Sequence, residues 1–362
     1  MNYEFDISRQ SICIEDHFFH KKDFSEQSPT SFFESEELKK VYSFLHEWFN
    51  EVSFVWVKTS GSTGRPKSIR ADKQKMMQSA AMTCSFLHLQ QGDKALLCMN
   101  LNYIGAKMVI VRSLITGMRL FVRPATGHPL ADVDTSLDFA AFVPLQVFNS
   151  LQIDKEKERI KHIKKLIIGG GAIEPQMAEV LKTFPNEVYS TYGMTETLSH
   201  IALRKLSGQD ASDYYTPLEG VSLSLSGTGS LCINAPKVAN ETLITNDIAE
   251  LRPDQSFRIL GRTDNIINSG GIKIQIEEME KILRPLLGDT FAITSLPDPK
   301  FGEIVVLVTT SEIKESNWKE LLPTYCYPKR VILMDVLPLT ETGKIRRKEL
   351  KEIIITRYSS GI

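Results

Sequence analysis

A nine-residue run rich in glycine and hydroxyl side chains is the feature that most constrains this chain. From Thr59 to Lys67 it reads Thr-Ser-Gly-Ser-Thr-Gly-Arg-Pro-Lys, which offers almost nothing to a hydrophobic core. Gly61 and Gly64 let the backbone approach an anion closely, and Lys67 can neutralise phosphate charge. The P-loop of NTPases needs a glycine directly before its lysine, and Pro66 stands there instead. The run therefore predicts a phosphate-binding loop of another kind, with a flexible surface loop as the alternative.

Strand-like and helix-like segments alternate around this loop. Phe54 to Val57 is β-rich and Asp72 to Leu89 has helical composition, so the loop is predicted to lie between a strand and a helix. Further along the chain, alternation continues with predicted strands and helices at Lys94 to Met99, Ile104 to Thr116, Arg119 to Val122, Phe139 to Val143, Lys165 to Ile168 and Pro175 to Thr183. This order predicts an α/β fold with a mostly parallel sheet covered by helices.

The pattern of predicted strands and helices changes twice in the second half of the chain. Beyond Pro217, short apolar runs alternate with turn residues, which predicts an antiparallel β-rich subdomain. A strand at Ile272 to Ile276, a helix at Glu277 to Leu287 and later strands predict a small α+β domain. We therefore expect a large N-terminal α/β domain over residues 1–261, a hinge at 262–265 and a mobile C-terminal domain over 266–362.

Composition excludes several classes of protein. The net charge of −1 gives no basic surplus for nucleic acid. The five cysteines are far apart and include no Cys-x-x-Cys pair, so neither a disulfide framework nor a thiolate metal site is indicated, and we expect a cytoplasmic protein. The most apolar segment, Ala95 to Val122, is interrupted by charged residues that include Lys107 and Arg112, which argues against a membrane span. A homo-oligomer is compatible with this composition.

Three more runs carry side chains suited to nucleotide chemistry. In Tyr189 to Thr197, Tyr192 offers a ring face for a purine, Thr195 a hydroxyl for a phosphate and Glu196 an oxygen ligand for Mg²⁺. Ile167 to Ala172 is a buried strand that ends in three glycines, and Thr245 to Asp247 ends in a carboxylate that could hold ribose hydroxyls. Taken alone, Tyr192-Gly193 could be a turn and Thr195 to Thr197 a helix start, a glycine triplet is a weak signal, and an aspartate in a turn is usually structural.

The order of these runs, together with two later ones, is more specific than any single run. The later ones are Gly261 to Lys273 and Pro338 to Ile345. From Thr59 to Lys348 the chain resembles the acyl-adenylate-forming superfamily, which includes acyl- and aryl-CoA ligases, nonribosomal peptide adenylation domains and luciferases. The resemblance implies the fold of those enzymes and an acid–CoA ligase that uses ATP, Mg²⁺ and coenzyme A.

The resemblance also implies a role for each motif residue. Thr195 would bind the α phosphate, Glu196 would bind Mg²⁺, and Lys344 would bridge the acyl carboxylate and the phosphate. Asp264 would be the hinge. The nucleotide would be bound through its phosphates by Thr59, Ser60, Gly61, Ser62, Thr63, Gly64 and Lys67, through adenine by Gly170, Gly171, Ala172, Ser190 and Tyr192, and through ribose by Asp247 and Arg262. Thr191 and Gly193 would also belong to the ATP site. The CoA path would be lined by Gly270, Gly271 and Lys273.

The chain also departs from the superfamily pattern. Only 58 residues precede the phosphate loop, so the N-terminal subdomain is expected to be trimmed. Asn246 stands where a glycine usually precedes the ribose aspartate, and Asn102-Tyr103 replaces an aromatic residue or histidine that commonly lines the acyl pocket. Each of these departures keeps the groups that adenylation needs.

Within the superfamily, the short N-terminus and the run Tyr192 to His200 most resemble the 2-succinylbenzoate–CoA ligases of menaquinone synthesis. Their acid carries two carboxylates and an aromatic ring, which requires hydroxyl or basic groups beside apolar walls. Our candidates for this pocket are Tyr103, Lys107, Ser199 and His200, although Lys107 could also be a surface residue of a helix. The alternatives are another aryl or fatty acyl–CoA ligase, an enzyme that loads a carrier protein, and a non-catalytic acyl-AMP-binding relative.

Overall fold

The computed structural model describes residues 3–25, 31–58, 68–313, 320–340 and 345–358. Its strands, in chain order, are β1 (Ser11–Ile14), β2 (His17–His20), β3 (Phe54–Lys58), β4 (Ser68–Asp72), β5 (Lys94–Leu97), β6 (Arg119–Val122), β7 (Phe139–Phe142), β8 (Lys165–Ile168), β9 (Glu187–Gly193), β10 (His200–Lys205), β11 (Thr216–Pro217), β12 (Ser222–Leu225), β13 (Ser230–Asn234), β14 (Leu243–Leu251), β15 (Phe257–Arg262), β16 (Ile266–Ser269), β17 (Ile272–Gln275), β18 (Phe291–Asp298), β19 (Gly302–Thr309) and β20 (Arg330–Leu333). The α-helices are α1 (Glu36–Phe49), α2 (Lys73–Phe86), α3 (Ile104–Thr116), α4 (Pro144–Leu151), α5 (Asp154–Lys161), α6 (Pro175–Lys182), α7 (Ile276–Leu287) and α8 (Arg347–Tyr358).

A nine-stranded sheet forms the centre of the larger part of the fold. Its order is β11-β10-β9-β8-β7-β5-β6-β1-β2. The six strands from β9 to β1 run parallel, and the antiparallel strands lie at the two edges. Because every parallel strand points the same way, the loops that follow β8 and β9 lie at one edge of the sheet. The predicted α/β fold with a mostly parallel sheet is confirmed.

The strand before the phosphate loop lies outside this sheet, which corrects one prediction. Strand β3 pairs antiparallel with β4 in a separate two-stranded hairpin, from Phe54 opposite Asp72 to Lys58 opposite Ser68. The loop therefore connects two strands, and helix α2 begins only after β4. The prediction missed β4 because its five residues are mostly polar, and only Ile69 and Ala71 point towards the interior.

Helix α3 is the most deeply buried helix of the described part of the chain. It runs from Ile104 to Thr116 as predicted, and it ends at Gly117, whose φ of 75° lies in the left-handed region. All its residues from Ala106 onwards are buried. Two of these residues, Lys107 and Arg112, carry charge, so the helix brings cations into the core.

The part of the chain from β16 onwards has its own sheet and its own hydrophobic clusters. A four-stranded antiparallel sheet with the order β12-β13-β14-β15 precedes it. After it, strands β16 to β20 form a five-stranded sheet. Two hydrophobic clusters draw only on residues from Ile267 to Tyr358. This division is compatible with a hinge at residues 262–265, which stays a prediction. Within the described ranges, every helix is too short or too polar to span a bilayer.

Candidate active site

The loop after β9 is fixed by its own backbone contacts. Gly193 ends the strand, and a Cβ there would lie 2.3 Å from the carbonyl oxygen of Ser199, so only glycine fits. The Thr197 hydroxyl accepts a hydrogen bond from the Met194 amide at 3.1 Å and lies 2.7 Å from the Ser199 carbonyl oxygen, to which it can donate. Leu198 adopts a φ of 63°, a strained value for a leucine. The short 3₁₀ turn Thr195–Thr197 is therefore held in one conformation.

This turn presents its predicted catalytic side chains outward. Glu196 is exposed and Thr195 is partly exposed. Among the described residues, no cation forms an ion pair with the Glu196 carboxylate. An exposed, unpaired carboxylate can ligate a hard cation without first breaking an internal bond.

A chain of hydrogen bonds joins the predicted adenine and ribose residues. The Tyr192 hydroxyl donates to Asp247 at 2.6 Å, and the Arg262 Nη1 donates to Asp247 at 2.9 Å. Arg262 also donates to both carboxylate oxygens of Asp264, at 2.8 Å each. We call these four residues the nucleotide cluster. Strand register explains part of it, because Asp247 on β14 lies directly opposite Arg262 on β15.

The pKa shifts in the nucleotide cluster follow from these contacts. Burial, and then the neighbouring Asp247 carboxylate, raise the pKa of the Tyr192 hydroxyl, which therefore stays protonated and donates. The hydrogen bonds from Arg262 lower the pKa of Asp264. The cluster thus keeps one cation between two anions.

The three glycines after β8 lie next to this cluster. Ile168 is paired with Ser190, so Gly169 to Gly171 follow at the same edge as Thr191 and Tyr192. A Cβ on Gly169 would lie 2.4 Å from the Thr191 hydroxyl, and Gly170 has a φ of 82°. The structure therefore brings the predicted adenine residues together; among them, Ser190 is buried against the Tyr215 hydroxyl at 3.0 Å.

The four acid-pocket candidates are divided between separate places. Ser199 and His200 lie together behind the Thr195–Thr197 turn. Lys107 lies elsewhere, with its ammonium 2.5 Å from the Trp56 carbonyl oxygen and 3.9 Å from Glu47. Tyr103 precedes α3 and forms a β-bridge with Lys58, the residue before the phosphate loop. Burial lowers the pKa of Lys107, which bonds to groups near α1 and not to Ser199 or His200.

Arg112, and not Lys107, is the cation of α3 that contacts Ser199. Its Nη2 donates to the Ser199 hydroxyl at 3.0 Å and lies 3.4 Å from the Thr83 hydroxyl. His200 Nε2 lies 2.9 Å from the same Thr83 hydroxyl. We call Thr83, Arg112, Ser199 and His200 the acid-end cluster. Lys107 and Arg112 are five residues apart on α3, about 140° around the helix, so they point to different neighbours.

Arg112 is a buried cation without a protein counter-ion in the described ranges. Arg112 is 1% exposed, and burial lowers its pKa to about 10, so it stays charged near neutral pH. Its Nε is buried and lacks a hydrogen-bond partner. No described carboxylate lies within ion-pair distance of it. In the sequence, this residue is marked only as a single arginine within the mostly apolar segment Ile104 to Thr116.

The hinge and CoA residues lie at the start of the C-terminal sheet. Asp264 belongs to the 3₁₀ turn Thr263–Asn265 between β15 and β16. Gly270 and Gly271 form the two-residue turn between β16 and β17, with φ values of 60° and 83° that favour glycine at both positions. Lys273 is exposed on β17. The predicted phosphate loop, Thr59 to Lys67, and Lys344 lie outside the described residues.

Comparison with known proteins identifies the family. Residues 50–238 match the model of the AMP-binding enzyme family. A crystal structure of an acyl-CoA synthetase (AMP-forming)/AMP-acid ligase II-like protein from Dyadobacter fermentans is 32% identical, covers 87% of this chain and 94% of that chain, and has a TM-score of 0.62. This chain belongs to the AMP-binding enzyme family.

This chain is also similar to relatives and solved structures whose names state a substrate. A 2-succinylbenzoate–CoA ligase of Bacillus cereus is 24% identical in an alignment 385 positions long, which covers 95% of this chain and 79% of the relative. The o-succinylbenzoate CoA synthetase of Bacillus subtilis matches in its complex with the acyl-adenylate intermediate (22% identity, 82% of this chain and 68% of that chain, TM-score 0.68). The same synthetase with ATP and magnesium matches at 20% identity, 88% and 78% coverage and a TM-score of 0.67. The predicted superfamily, and an AMP-forming acid–CoA ligase that uses ATP, Mg²⁺ and coenzyme A, are confirmed.

The residues of this AMP-binding enzyme fit those cosubstrates. The nucleotide cluster offers a ring face and a carboxylate beside glycines that leave room for a flat base. Within the described ranges, no group of three or more His, Cys, Asp or Glu side chains is placed to hold a metal. Proteins bind Mg²⁺ through one or two carboxylates and the phosphates of the substrate, and Glu196 offers an exposed carboxylate. Bound there, Mg²⁺ would offset phosphate charge.

Proposed function

We propose that the protein is a 2-succinylbenzoate–CoA ligase of menaquinone biosynthesis, acting in the cytoplasm. The first step would join the succinyl carboxylate of the acid to the α phosphate of ATP and release pyrophosphate. The second would transfer the acyl group to the thiol of coenzyme A and release AMP. The names of the curated relatives support this substrate, and the proposal depends most on one observation, the buried Arg112.

The proposal follows from the charge of Arg112. An unpaired buried charge costs several kcal/mol, and that cost is offset when an anion binds beside it. Ser199 is partly exposed and bonds directly to Arg112, so a ligand can reach this end of the cluster. Ser199 lies two residues after the end of the Thr195–Thr197 turn, so the acid-end cluster is next to that turn. An acid with two carboxylates fits this arrangement, with one carboxylate at Thr195 and the ring carboxylate at Arg112 and Ser199.

The remaining residues would take the roles that the superfamily implies. Attack of a carboxylate on a phosphate brings two anions together, and Lys67, Lys344 and Mg²⁺ at Glu196 would offset their repulsion. Asp247 and Arg262 would hold the ribose against Tyr192. Rotation of the C-terminal domain about Asp264 would then bring the turn at Gly270 and Gly271, with Lys273, towards the path of coenzyme A.

A comparison of two acids tests the substrate. The acid 4-phenyl-4-oxobutanoate is 2-succinylbenzoate without the ring carboxylate. We expect the wild type to prefer 2-succinylbenzoate by about 10²-fold or more in kcat/KM, the size of effect that a buried charge pair produces. We expect Arg112→Met, which has a similar volume, to lose this preference while its activity on 4-phenyl-4-oxobutanoate changes little. Pyrophosphate release measures both.

Two results would reject the substrate. Equal turnover of the two acids by the wild type is one, and preference for a plain fatty acid is the other. Lys107→Met is the matched control, because it removes a second buried cation from the same helix. A loss of preference in Lys107→Met but not in Arg112→Met would show that the acid pocket lies on the other side of α3.

A further inference from the structure

Three side chains next to Arg112 contact one another in a line, from Thr83 through His200 to Ser199. The Thr83 hydroxyl lies 2.9 Å from His200 Nε2, and His200 Nδ1 lies 3.4 Å from the Ser199 hydroxyl. Thr83 and His200 are buried, whereas Ser199 is partly exposed. The line therefore runs from the core between α2 and β10 to Ser199, the partly exposed member of the acid-end cluster.

The direction of each hydrogen bond in this line follows from the partners. Arg112 can only donate, so both the Thr83 and Ser199 hydroxyl oxygens accept from it. The Thr83 proton can go to His200 Nε2, at 2.9 Å, or to the Ser79 carbonyl oxygen, at 3.2 Å. The Ser79 carbonyl oxygen already accepts the helical backbone hydrogen bond from the amide of Thr83. The contact with His200 is the shorter one, and among the described residues Nε2 has no other hydrogen-bond partner. Donation of the Thr83 proton to His200 is therefore favoured.

This assignment fixes the state of His200. Burial, and then the neighbouring Arg112, hold the pKa of His200 well below its ordinary value, so the ring is neutral and carries one proton. If Nε2 accepts from Thr83, that proton is on Nδ1, which faces Ser199. Ser199 then accepts from both Arg112 and His200, and its own proton is left to donate. In the opposite tautomer, Ser199 would donate to Nδ1 and its proton would be unavailable to a ligand.

We propose that Thr83 and His200 are positioning residues that hold the Ser199 hydroxyl as a donor for the distal carboxylate of the acid. The inference rests on the proposed function, because it needs an acid with a second carboxylate. It assigns specificity to two residues that need not touch the substrate.

A pair of threonines provides the first test. Thr83→Val keeps the shape and removes the hydroxyl, and we expect KM for 2-succinylbenzoate to rise about tenfold, with little change in kcat or in activity on 4-phenyl-4-oxobutanoate. Thr116→Val is the matched control, because both hydroxyls lie within hydrogen-bond distance of the carbonyl four residues earlier in a helix. Equal effects of the two variants on KM would overturn the proposal.

Replacements of His200 provide the second test. His200→Asn places an amide N–H near the position of Nδ1, so it can still donate to Ser199 and should keep most of the preference for 2-succinylbenzoate. His200→Leu lacks this donor, and its KM should rise by about 10- to 100-fold. Adding Thr83→Val to His200→Leu should then change KM no further, because the line is already broken. Additive effects would contradict a connected line.

The tautomer itself can be measured on the free enzyme. In ¹⁵N-labelled protein, the His200 signals are those that His200→Asn removes. We expect the Nδ1–H tautomer, with Nε2 as the unprotonated nitrogen, and a shift towards the other tautomer in Thr83→Val. An Nε2–H tautomer in the wild type would overturn the proposal. This result does not depend on the acid, so it separates failure of the positioning line from failure of the proposed substrate.

Discussion

The two ends of the candidate site use an arginine in opposite ways. At the nucleotide end, Arg262 lies between two carboxylates that the protein supplies, Asp247 and Asp264. At the acid end, Arg112 is more deeply buried and has only hydroxyl groups as described partners. A paired arginine orients its carboxylates towards neutral ligands such as ribose hydroxyls. An unpaired one favours a ligand that brings its own negative charge.

The two ends also differ in what they are attached to. Arg262 bonds to Asp264, the predicted hinge residue, so the nucleotide cluster is joined to the segment that would move. Arg112 lies in the middle of α3, which packs in the main hydrophobic cluster. Domain movement should therefore change the contacts of the nucleotide end and leave the acid end unchanged.

The largest expected effect comes from the residue that would serve both ends. Lys344→Ala should slow acyl-AMP formation by about 10² to 10³, about 3 to 4 kcal/mol, because one charge donor is lost at the transition state. The factor should be the same for 2-succinylbenzoate and 4-phenyl-4-oxobutanoate. Single-turnover pyrophosphate release measures it, and thiolation of supplied acyl-AMP should survive. A wild-type rate of acyl-AMP formation would show that Lys344 is not the catalytic lysine.

The hinge prediction tests the connection of the nucleotide end. Asp264→Pro fixes φ near −65° and removes the carboxylate that holds Arg262, so one domain orientation should dominate. An orientation populated at 1% slows the half-reaction that needs it by about 10². Asp264→Asn is the control that alters the carboxylate without fixing φ. Equal loss in adenylation and thiolation by a folded Asp264→Pro would reject the hinge.

Much of this fold was predictable from local pattern. Helix α3 and strands β6 and β8 have the bounds that the sequence predicted, because each is a mostly apolar segment. Strand β4 was missed because pairing with β3, and not its own composition, makes it a strand. The segments before α1, with β1 and β2, were likewise not predicted.

The site was predictable only where one motif supplies all of its residues. Ser199 and His200 follow the run Tyr189 to Thr197 directly, so the sequence placed them beside the Thr195–Thr197 turn. Arg112 is 87 residues from Ser199, and its burial depends on how α3 packs against α2 and the loop after β9. Charge alone made Lys107 and Arg112 equivalent in the sequence, and only the direction of each side chain separates them.

The two arginines should respond oppositely when stability is measured. Arg262→Met leaves Asp247 without its partner, and we expect it to lower the free energy of unfolding by about 1 to 2 kcal/mol, since the pair is partly screened by solvent. Arg112→Met removes an uncompensated charge, so we expect no loss or a gain of up to about 2 kcal/mol. Urea unfolding of the ligand-free protein measures both. A larger loss in Arg112→Met than in Arg262→Met would show that Arg112 is structurally compensated.

The smallest expected effect is a dependence of stability on pH at the acid end. In the folded chain, burial and then Arg112 keep the pKa of His200 well below 6.5, whereas the unfolded chain ionises near that value. As pH falls below about 6.5, the unfolded state therefore binds more protons than the folded state, and stability falls. The contribution of His200 is fully present above its unfolded pKa and is lost towards lower pH. The slope cannot exceed about 1.4 kcal/mol per pH unit for one group.

Cys84, whose pKa burial raises to about 12, and Arg112 keep their charge states in this range. We expect His200→Asn to lose about 1 kcal/mol less than the wild type between pH 8 and pH 5.5 in urea unfolding. Parallel losses in the two proteins would show that His200 takes up its proton in the folded state, and that the acid end accommodates a second positive charge beside Arg112.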